Sequence, residues 1–90
     1  MGSNTIFVGK KPAMNYVVAC LTLLQDGTTE ITLKARGKAI STAVDAAQIL
    51  TKRYVPYVSV KRIDIGTERV QNAETGDTST VSSMEIHLSK

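Results

Sequence analysis

The sequence predicts an α+β fold, a two-layer sandwich with the element order β-α-β-α-β-β, in which two helices cover one face of a mixed four-stranded sheet. Three observations predict this class. Apolar residues recur at helical spacing in two segments, they alternate with period two in the intervening and following segments, and a polar turn containing Gly separates the last two strands. Because 42% of the 90 residues are hydrophobic, residues 1–90 are expected to form a single domain, with residues 1–4 as a flexible tail.

The first half of the chain predicts a strand, a helix and a second strand. Thr5–Val8 is rich in β-branched and aromatic residues, and Phe7 is expected to be buried within it. Pro12 suits the first turn of a helix, which Gly27 ends, and Glu30–Ala35 then alternates apolar and polar residues as a half-buried strand does. The apolar residues at helical spacing are expected to form the buried face of the helix: Met14, Val17, Val18, Leu21 and Leu24.

The second half predicts another helix and a long terminal hairpin. Helical periodicity extends over Ile40–Tyr54, and Pro56 ends it. The apolar residues of Val58–Val70 change parity, which predicts one long strand with a bulge near Lys61 and Arg62. After a polar turn, a last strand is predicted by alternating Met84, Ile86 and Leu88.

Composition favours a polyanionic partner and an intracellular location. Eleven Lys and Arg against eight Asp and Glu give a formal net charge of +3. The isoelectric point is near 9.2. Such an excess favours polyanions as partners. Cys20 has no second cysteine to pair with, so a structural thiol in the cytoplasm is expected. No apolar run reaches the roughly 20 residues that span a bilayer, and no membrane association is expected.

Topology is expected to bring distant cations together. A β-α-β crossover joins parallel strands, so both strand-to-helix turns should lie at one edge of the sheet, from which the hairpin also leaves. This places Lys10, Lys11, Arg36 and Lys38 beside two helix amino ends, which attract phosphate. The alternative is that these are ordinary solvated turn residues. A nucleoside triphosphate loop is not indicated, because the upstream glycine and the following Ser or Thr of that motif are missing.

Catalysis, metal binding and cofactor binding are not expected. His87 is the only histidine and is expected to face away from the core, without a Ser or Cys nucleophile beside it. The acidic residues are dispersed rather than clustered as in a two-metal nuclease. Aromatic residues for stacking on single-stranded nucleic acid are few, one Phe and three Tyr. This scarcity favours binding to a duplex backbone.

Two segments carry a resemblance to a known family. Val8–Val17, with the sequence VGKKPAMNYV, and Lys34–Ser41, with the sequence KARGKAIS, resemble the Alba (Sac10b) family of archaeal chromatin proteins. The likeness extends through the terminal hairpin and covers almost the whole chain. It implies a two-layer domain similar to the C-terminal domain of translation initiation factor three, assembled as a dimer.

The resemblance also implies which residues touch the ligand. Lys10, Lys11 and Arg36 match family positions that contact the nucleic-acid backbone, and the two hairpin arms of the dimer would reach along the minor groove. In the family, an aromatic residue at the position of Tyr54 helps neighbouring dimers to touch. The alternative is that Tyr54 packs at the end of the second helix. The family's hairpin tips often carry basic residues, whereas this tip carries Glu74 and Asp77, so its arm is expected to attract phosphate less. The full expected interface is Lys10, Lys11, Asn15, Arg36, Lys38 and Arg69.

The resulting hypothesis is a homodimer, or a heterodimer with a paralogue, that coats and compacts double-stranded chromosomal DNA without sequence preference. Acetylation of Lys10 or Lys11 would remove a phosphate contact. Three alternatives stay open. The protein could instead be an RNA chaperone or ribonucleoprotein subunit, an enzyme or enzyme subunit acting on RNA, or a module that binds only other proteins.

Overall fold

The computed structural model describes residues 4–90, which form two helices and one four-stranded sheet in the element order β-α-β-α-β-β. This is the predicted fold class. A short π-helical segment, Leu50–Tyr54, extends the second helix. The elements are β1 (Thr5–Phe7), α1 (Ala13–Gln25), β2 (Glu30–Arg36), α2 (Ala39–Ile49), β3 (Ser59–Gln71) and β4 (Thr78–Ser89).

The strands lie in the order β1-β2-β4-β3, so the last strand is inserted between the second and the third. β1 and β2 are parallel, and β4 is antiparallel to both of its neighbours. The first three strands therefore run in the same direction, as the crossover rule predicts. β1 and β3 form the two edges of the sheet.

The hydrophobic core lies between the helices and one face of the sheet. Alternate residues of β2 face the helices, because Ile31, Leu33 and Ala35 are buried while the residues between them are not. Ile86 and Leu88 of β4 continue this layer. The helices contribute small or branched side chains that allow close packing on the sheet: Val17, Cys20, Leu24, Ala43, Ala46 and Ala47.

A β-bulge near Lys61 explains the change of parity in β3. The register with β4 shifts between Val60 and Arg62, so one extra residue stands in β3. Val60 lies opposite Leu88 and Ile63 lies opposite Ile86, and both partners are buried beneath the helices. The bulge therefore keeps the apolar residues on both sides of it on the helix-covered face.

The hairpin of β3 and β4 extends beyond the rest of the sheet as a two-stranded arm. The last pair between β2 and β4 is Arg36 with Ser83, whereas β3 and β4 remain paired as far as Gln71 and Thr78. Residues 67–82 form this arm. In its tip, the side chain of Asn72 accepts a hydrogen bond from the Glu74 amide. The tip also contains Gly76 with φ +75°, a conformation that glycine adopts most readily.

Some expectations about individual residues are wrong. Phe7, Val18 and Met14 are 73%, 56% and 41% exposed, because each points away from the helix–sheet core to which its neighbours contribute. Asn4 is not a free tail residue, since its side chain donates a hydrogen bond to the Glu30 carbonyl and its own carbonyl accepts one from the Thr32 amide. The expected flexibility of residues 1–3 concerns positions outside the described residues. Within residues 4–90, neither helix is long and apolar enough to cross a bilayer.

Candidate nucleic-acid interface

Two loops that follow neighbouring parallel strands position the cations of the candidate interface. β1 ends at Phe7 and leads through residues 8–12 into α1, and β2 ends at Arg36 and leads through Gly37 and Lys38 into α2. Because β1 and β2 are adjacent and parallel, both loops lie at the same end of the sheet, where the carboxyl ends of these strands are. Gly37 has φ +57°, and its amide donates a 2.8 Å hydrogen bond to the Ser82 carbonyl at the base of the arm. The second loop is thereby fixed against the arm.

A groove of about 1010 Å³ lies between these loops and the arm. Lys10 from the first loop and Arg36 and Lys38 from the second line it together. Lys34, which sequence reasoning did not single out, is a fourth cation on the groove wall. Lys34 lies two residues before Arg36 on β2, and residues two apart on a strand share a face. This spacing is the signal that could have identified it.

The other predicted interface residues lie outside the groove lining. Lys11 and Asn15 are exposed at the start of α1, beside the groove. Arg69 is exposed on the arm, where it lies opposite Thr80. Tyr54 is 49% exposed at the end of the π-helical segment. The structure thus brings together three of the six predicted contact residues in one groove and places the others around or beyond it.

Tyr16 holds the first cationic loop in place and was not identified from the sequence. Its side chain is buried, and its hydroxyl accepts hydrogen bonds from the backbone amides of Gly9 at 2.8 Å and Lys11 at 3.3 Å. These two amides flank Lys10. The loop that carries Lys10 is therefore attached to the first turns of α1 by a buried side chain.

The amino ends of both helices lack the usual partners for their free amides. Pro12 caps α1 and Lys38 caps α2 without a side-chain hydrogen bond, and neither helix has an acidic residue in its first turn. Serine, threonine, asparagine or aspartate usually fills this role. No carboxylate of the first turn therefore offsets the partial positive charge at either amino end, and this charge adds to that of the neighbouring cations.

Two carboxylates and an aromatic ring complete the groove. Glu68 of the arm and Glu85 of β4 line it together with the cations. Glu85 lies opposite Lys34 in the pairing of β2 with β4. Phe7 also lines the groove, and the Lys34 ammonium is 5.8 Å from the centre of its ring. The groove is thus basic on balance and mixed in detail.

A second polar cluster lies on the sheet face opposite the helices. The Thr32 hydroxyl is 3.1 Å from Nδ1 of His87, and Nε2 of His87 is 3.0 Å from a carboxylate oxygen of Asp64. The Arg62 side chain donates a 3.1 Å hydrogen bond to the same oxygen. His87 faces away from the core, as predicted. The hydroxyl beside His87 belongs to a threonine and not to a serine. The cluster connects three strands of the sheet.

Two further observations concern reactive groups. Within residues 4–90, no three His, Cys, Asp or Glu side chains lie close enough together to hold a metal ion. The thiol of Cys20 is buried in the core, and burial raises its pKa from 9.0 to about 11. A thiol with so high a pKa carries its proton near neutral pH and is a poor nucleophile.

These features define a class of small, two-layer α+β domains. Each has a basic groove at the end of the sheet from which an arm extends. The Alba family model matches residues 4–67 of this chain, and the chain belongs to the Alba family.

Individual relatives agree with this assignment. DNA/RNA-binding protein Alba 1 of Archaeoglobus fulgidus is 53% identical over 90 residues, which cover 100% of this chain and 99% of that protein. DNA/RNA-binding protein Alba of Methanocella arvoryzae is 48% identical over 87 residues, covering 97% and 90% of the two chains. Among solved structures, Alba from Thermoplasma volcanium superimposes with a TM-score of 0.89 at 48% identity, over 96% of this chain and 99% of that one.

Proposed function

We propose that residues 1–90 act as one nucleic-acid-binding domain that holds the phosphate backbone of double-stranded DNA without sequence preference, and of RNA as a second ligand. The protein works on the chromosome in the cytoplasm and catalyses no reaction. Two archaeal relatives that cover this chain almost completely are named DNA/RNA-binding proteins. Their names support both ligands.

The observation that carries the proposal is the convergence of cations from two sequence-distant loops on one groove. Lys10 and Arg36 are 26 positions apart in the sequence, yet they line the same groove together with Lys38. Lysine and arginine bound to phosphates release the counterions condensed on a nucleic acid, and this release supplies affinity that does not depend on base sequence. Exposed Lys11, Asn15 and Arg69 lie where they can extend the same contact along the backbone.

A two-fold dimer would double this surface, and the edge strand β3 supports such an assembly. Val60, Ile63 and Ile65 are 43%, 51% and 80% exposed, although all three lie on the helix-covered face of the sheet. A row of exposed branched residues on an edge strand is typical of a protein–protein contact. A second copy of the chain, or a paralogue with a similar row, is the proposed partner. Exposed Tyr54 is the proposed contact between neighbouring dimers on compacted DNA.

The test is a titration of duplex DNA at several salt concentrations. If Lys10, Lys11, Arg36 and Lys38 act from both subunits, the logarithm of the binding constant should fall with the logarithm of salt concentration with a slope of about −7. Lys10→Glu with Lys11→Glu should abolish binding at physiological salt. The matched control is Lys52→Glu with Arg53→Glu, an identical charge change on exposed residues outside the groove, which should bind nearly as wild type does. A slope near zero would refute the proposal.

The second candidate function is an RNA-directed role, as an RNA chaperone or ribonucleoprotein subunit. The names of the relatives include RNA beside DNA, which favours this candidate over the others. Affinities for duplex DNA, duplex RNA and single strands, measured at one salt concentration, separate the two functions.

Acetylation is a proposed means of tuning either function. It would remove the charge of Lys10 or Lys11 and with it one phosphate contact per subunit. Mass spectrometry of the native protein would reveal the acetylated amines, and two amines that are always free would contradict this regulation.

A further inference from the structure

Phe7 is an exposed aromatic ring in a position where the sequence predicts a buried one. The ring is 73% exposed, whereas its neighbours Ile6 and Val8 pack against the core. Because side chains alternate along a strand, β1 directs Phe7 to the face opposite the helices. β1 is also an edge strand, so within residues 4–90 no further strand covers the ring from that side.

The ring lies among cations rather than among apolar side chains. Phe7 lines the same groove as Lys10, Lys34 and Arg36, and the Lys34 ammonium is 5.8 Å from the ring centre. The centres of protein–protein contacts are depleted of charged residues, so a protein anchor would not be expected in this setting. An aromatic face beside a track of cations is instead the arrangement with which proteins bind single-stranded nucleic acids, through bases on the ring and phosphates on the cations.

The chemistry of the ring distinguishes single strands from duplexes. In a duplex each base is paired and stacked between its neighbours, so a ring on the wall of a groove can reach only base edges and sugars. In a single strand an unstacked base can lie flat on the ring. We propose that Phe7 is a stacking site for an unpaired base, and that the groove therefore binds single-stranded RNA or DNA in addition to a duplex. This inference rests on the proposed function, because the same cations would hold the phosphates.

The first test compares the affinities for a uridine homopolymer and for a duplex of equal length at one salt concentration. Phe7→Leu keeps an apolar side chain and removes the π face, so the ratio of single-strand to duplex affinity should fall about tenfold. Tyr57→Leu is the matched control. Tyr57 is 58% exposed and has the Lys90 ammonium 5.5 Å from its ring, but it lies outside the groove. This control should leave the ratio unchanged.

The second test locates the stacked base. The chain contains no tryptophan, so the fluorescence of the F7W variant reports on position 7 alone. A stacked base should quench this fluorescence when the homopolymer binds, and the duplex should quench it much less. Circular dichroism of both Phe7 variants checks that the fold is kept, which the exposure of the side chain leads us to expect.

The outcomes separate this inference from the proposed function. If wild type binds the duplex with the expected salt dependence but the affinity ratio of Phe7→Leu equals that of wild type, the stacking site is refuted and the proposed function stands. If wild type binds neither the homopolymer nor the duplex, the proposed function is refuted, and the stacking site is refuted with it. If Phe7→Leu changes only the oligomeric state in sedimentation, the ring is a protein contact, and the inference is overturned.

Discussion

Tyr16 shows how one buried side chain sets the position of a cation several residues away. Its hydroxyl accepts hydrogen bonds from the amides on both sides of Lys10, so the loop is ordered before any ligand binds. A loop that is already ordered loses less conformational entropy on binding than a free one. Under the proposed function, affinity for phosphate therefore depends on a residue that does not itself carry charge.

We expect Tyr16→Phe to weaken duplex binding by about fivefold, since a lost hydrogen bond is worth about 1 kcal/mol. The aromatic ring remains in the core, so the fold should be kept. Amide hydrogen exchange should accelerate at Gly9 and Lys11, the two donors that lose their acceptor. Tyr57→Phe removes an exposed hydroxyl outside the loop and serves as control. Unchanged exchange at both amides would contradict the role given to Tyr16.

Cys20 makes the stability of the fold sensitive to alkaline pH. Burial raises the pKa of its thiol from 9.0 to about 11. Between these pH values the unfolded chain has lost the thiol proton while the folded chain keeps it, so the unfolded state binds fewer protons and the free energy of unfolding falls as pH rises. The contribution is fully present below pH 9 and decreases by up to about 3 kcal/mol above pH 11.

The measurement is the free energy of unfolding in denaturant at several pH values, for wild type and for Cys20→Ala. Near neutral pH the variant is less stable than wild type because it leaves a small cavity, but it has no thiol to ionise. The difference between the two curves should change by up to about 3 kcal/mol from pH 8 to pH 11. Parallel curves would show that the thiol ionises equally in both states.

The arm differs from the basic loops in charge. Its tip carries Glu74 and Asp77, and Glu68 lies at its base on the groove wall. The turn is held by backbone groups and by the side chains of Asn72 and Thr75. The two acidic side chains of the tip take no part in those hydrogen bonds, so they can be replaced without loss of the turn.

If the arms lie along the duplex, Glu74→Lys with Asp77→Lys should strengthen binding at low salt. Two new cations per subunit steepen the salt slope by about 4 for a dimer. Asp26→Lys with Glu30→Lys makes the same charge change at the end of the sheet opposite the basic loops. This control should leave the salt slope nearly unchanged. An unchanged slope in the arm variant would show that the tip stays away from the backbone.

Periodicity predicted the helices and strands well, because it depends on local sequence patterns. The alternation in β2 and the parity change in β3 are visible in the sequence, and the structure shows the strand and the bulge. The convergence of Lys10 with Arg36 follows from the rule that crossover connections join parallel strands. The insertion of β4 between β2 and β3 could not be predicted in this way, since periodicity does not specify which strands are neighbours.

The side-chain features of the site were harder to predict than its position. Phe7 was expected in the core because aromatic residues in strands are usually buried, but β1 is short and lies at an edge, so its outward face is open. The role of Tyr16 depends on a hydroxyl meeting two amides from another element, which spacing alone does not reveal. Lys34 is predictable from the parity of β2, because it lies two residues before Arg36 and shares its face of the sheet.

Under the proposed function, assembly determines how many phosphates one particle can hold. A monomer offers one basic groove, whereas a two-fold dimer offers two. The exposed row Val60, Ile63 and Ile65 lies on the helix-covered face of the sheet and continues the core layer to the edge strand β3. Burial of such a row in a self-complementary contact removes apolar surface from water and joins the two copies.

We expect Ile65→Glu to separate the proposed dimer, because the contact would have to bury a carboxylate. Sedimentation at micromolar concentration should show a monomer, and the salt slope for duplex DNA should fall from about −7 to about −4, since four cations rather than eight then act together. Ser59→Glu adds the same charge to β3 on the opposite face of the sheet and should remain dimeric with the full slope. If Ile65→Glu sediments as a dimer, the two copies meet elsewhere. If it is monomeric and keeps the full slope, the phosphate contacts of one subunit exceed the four cations assigned to it.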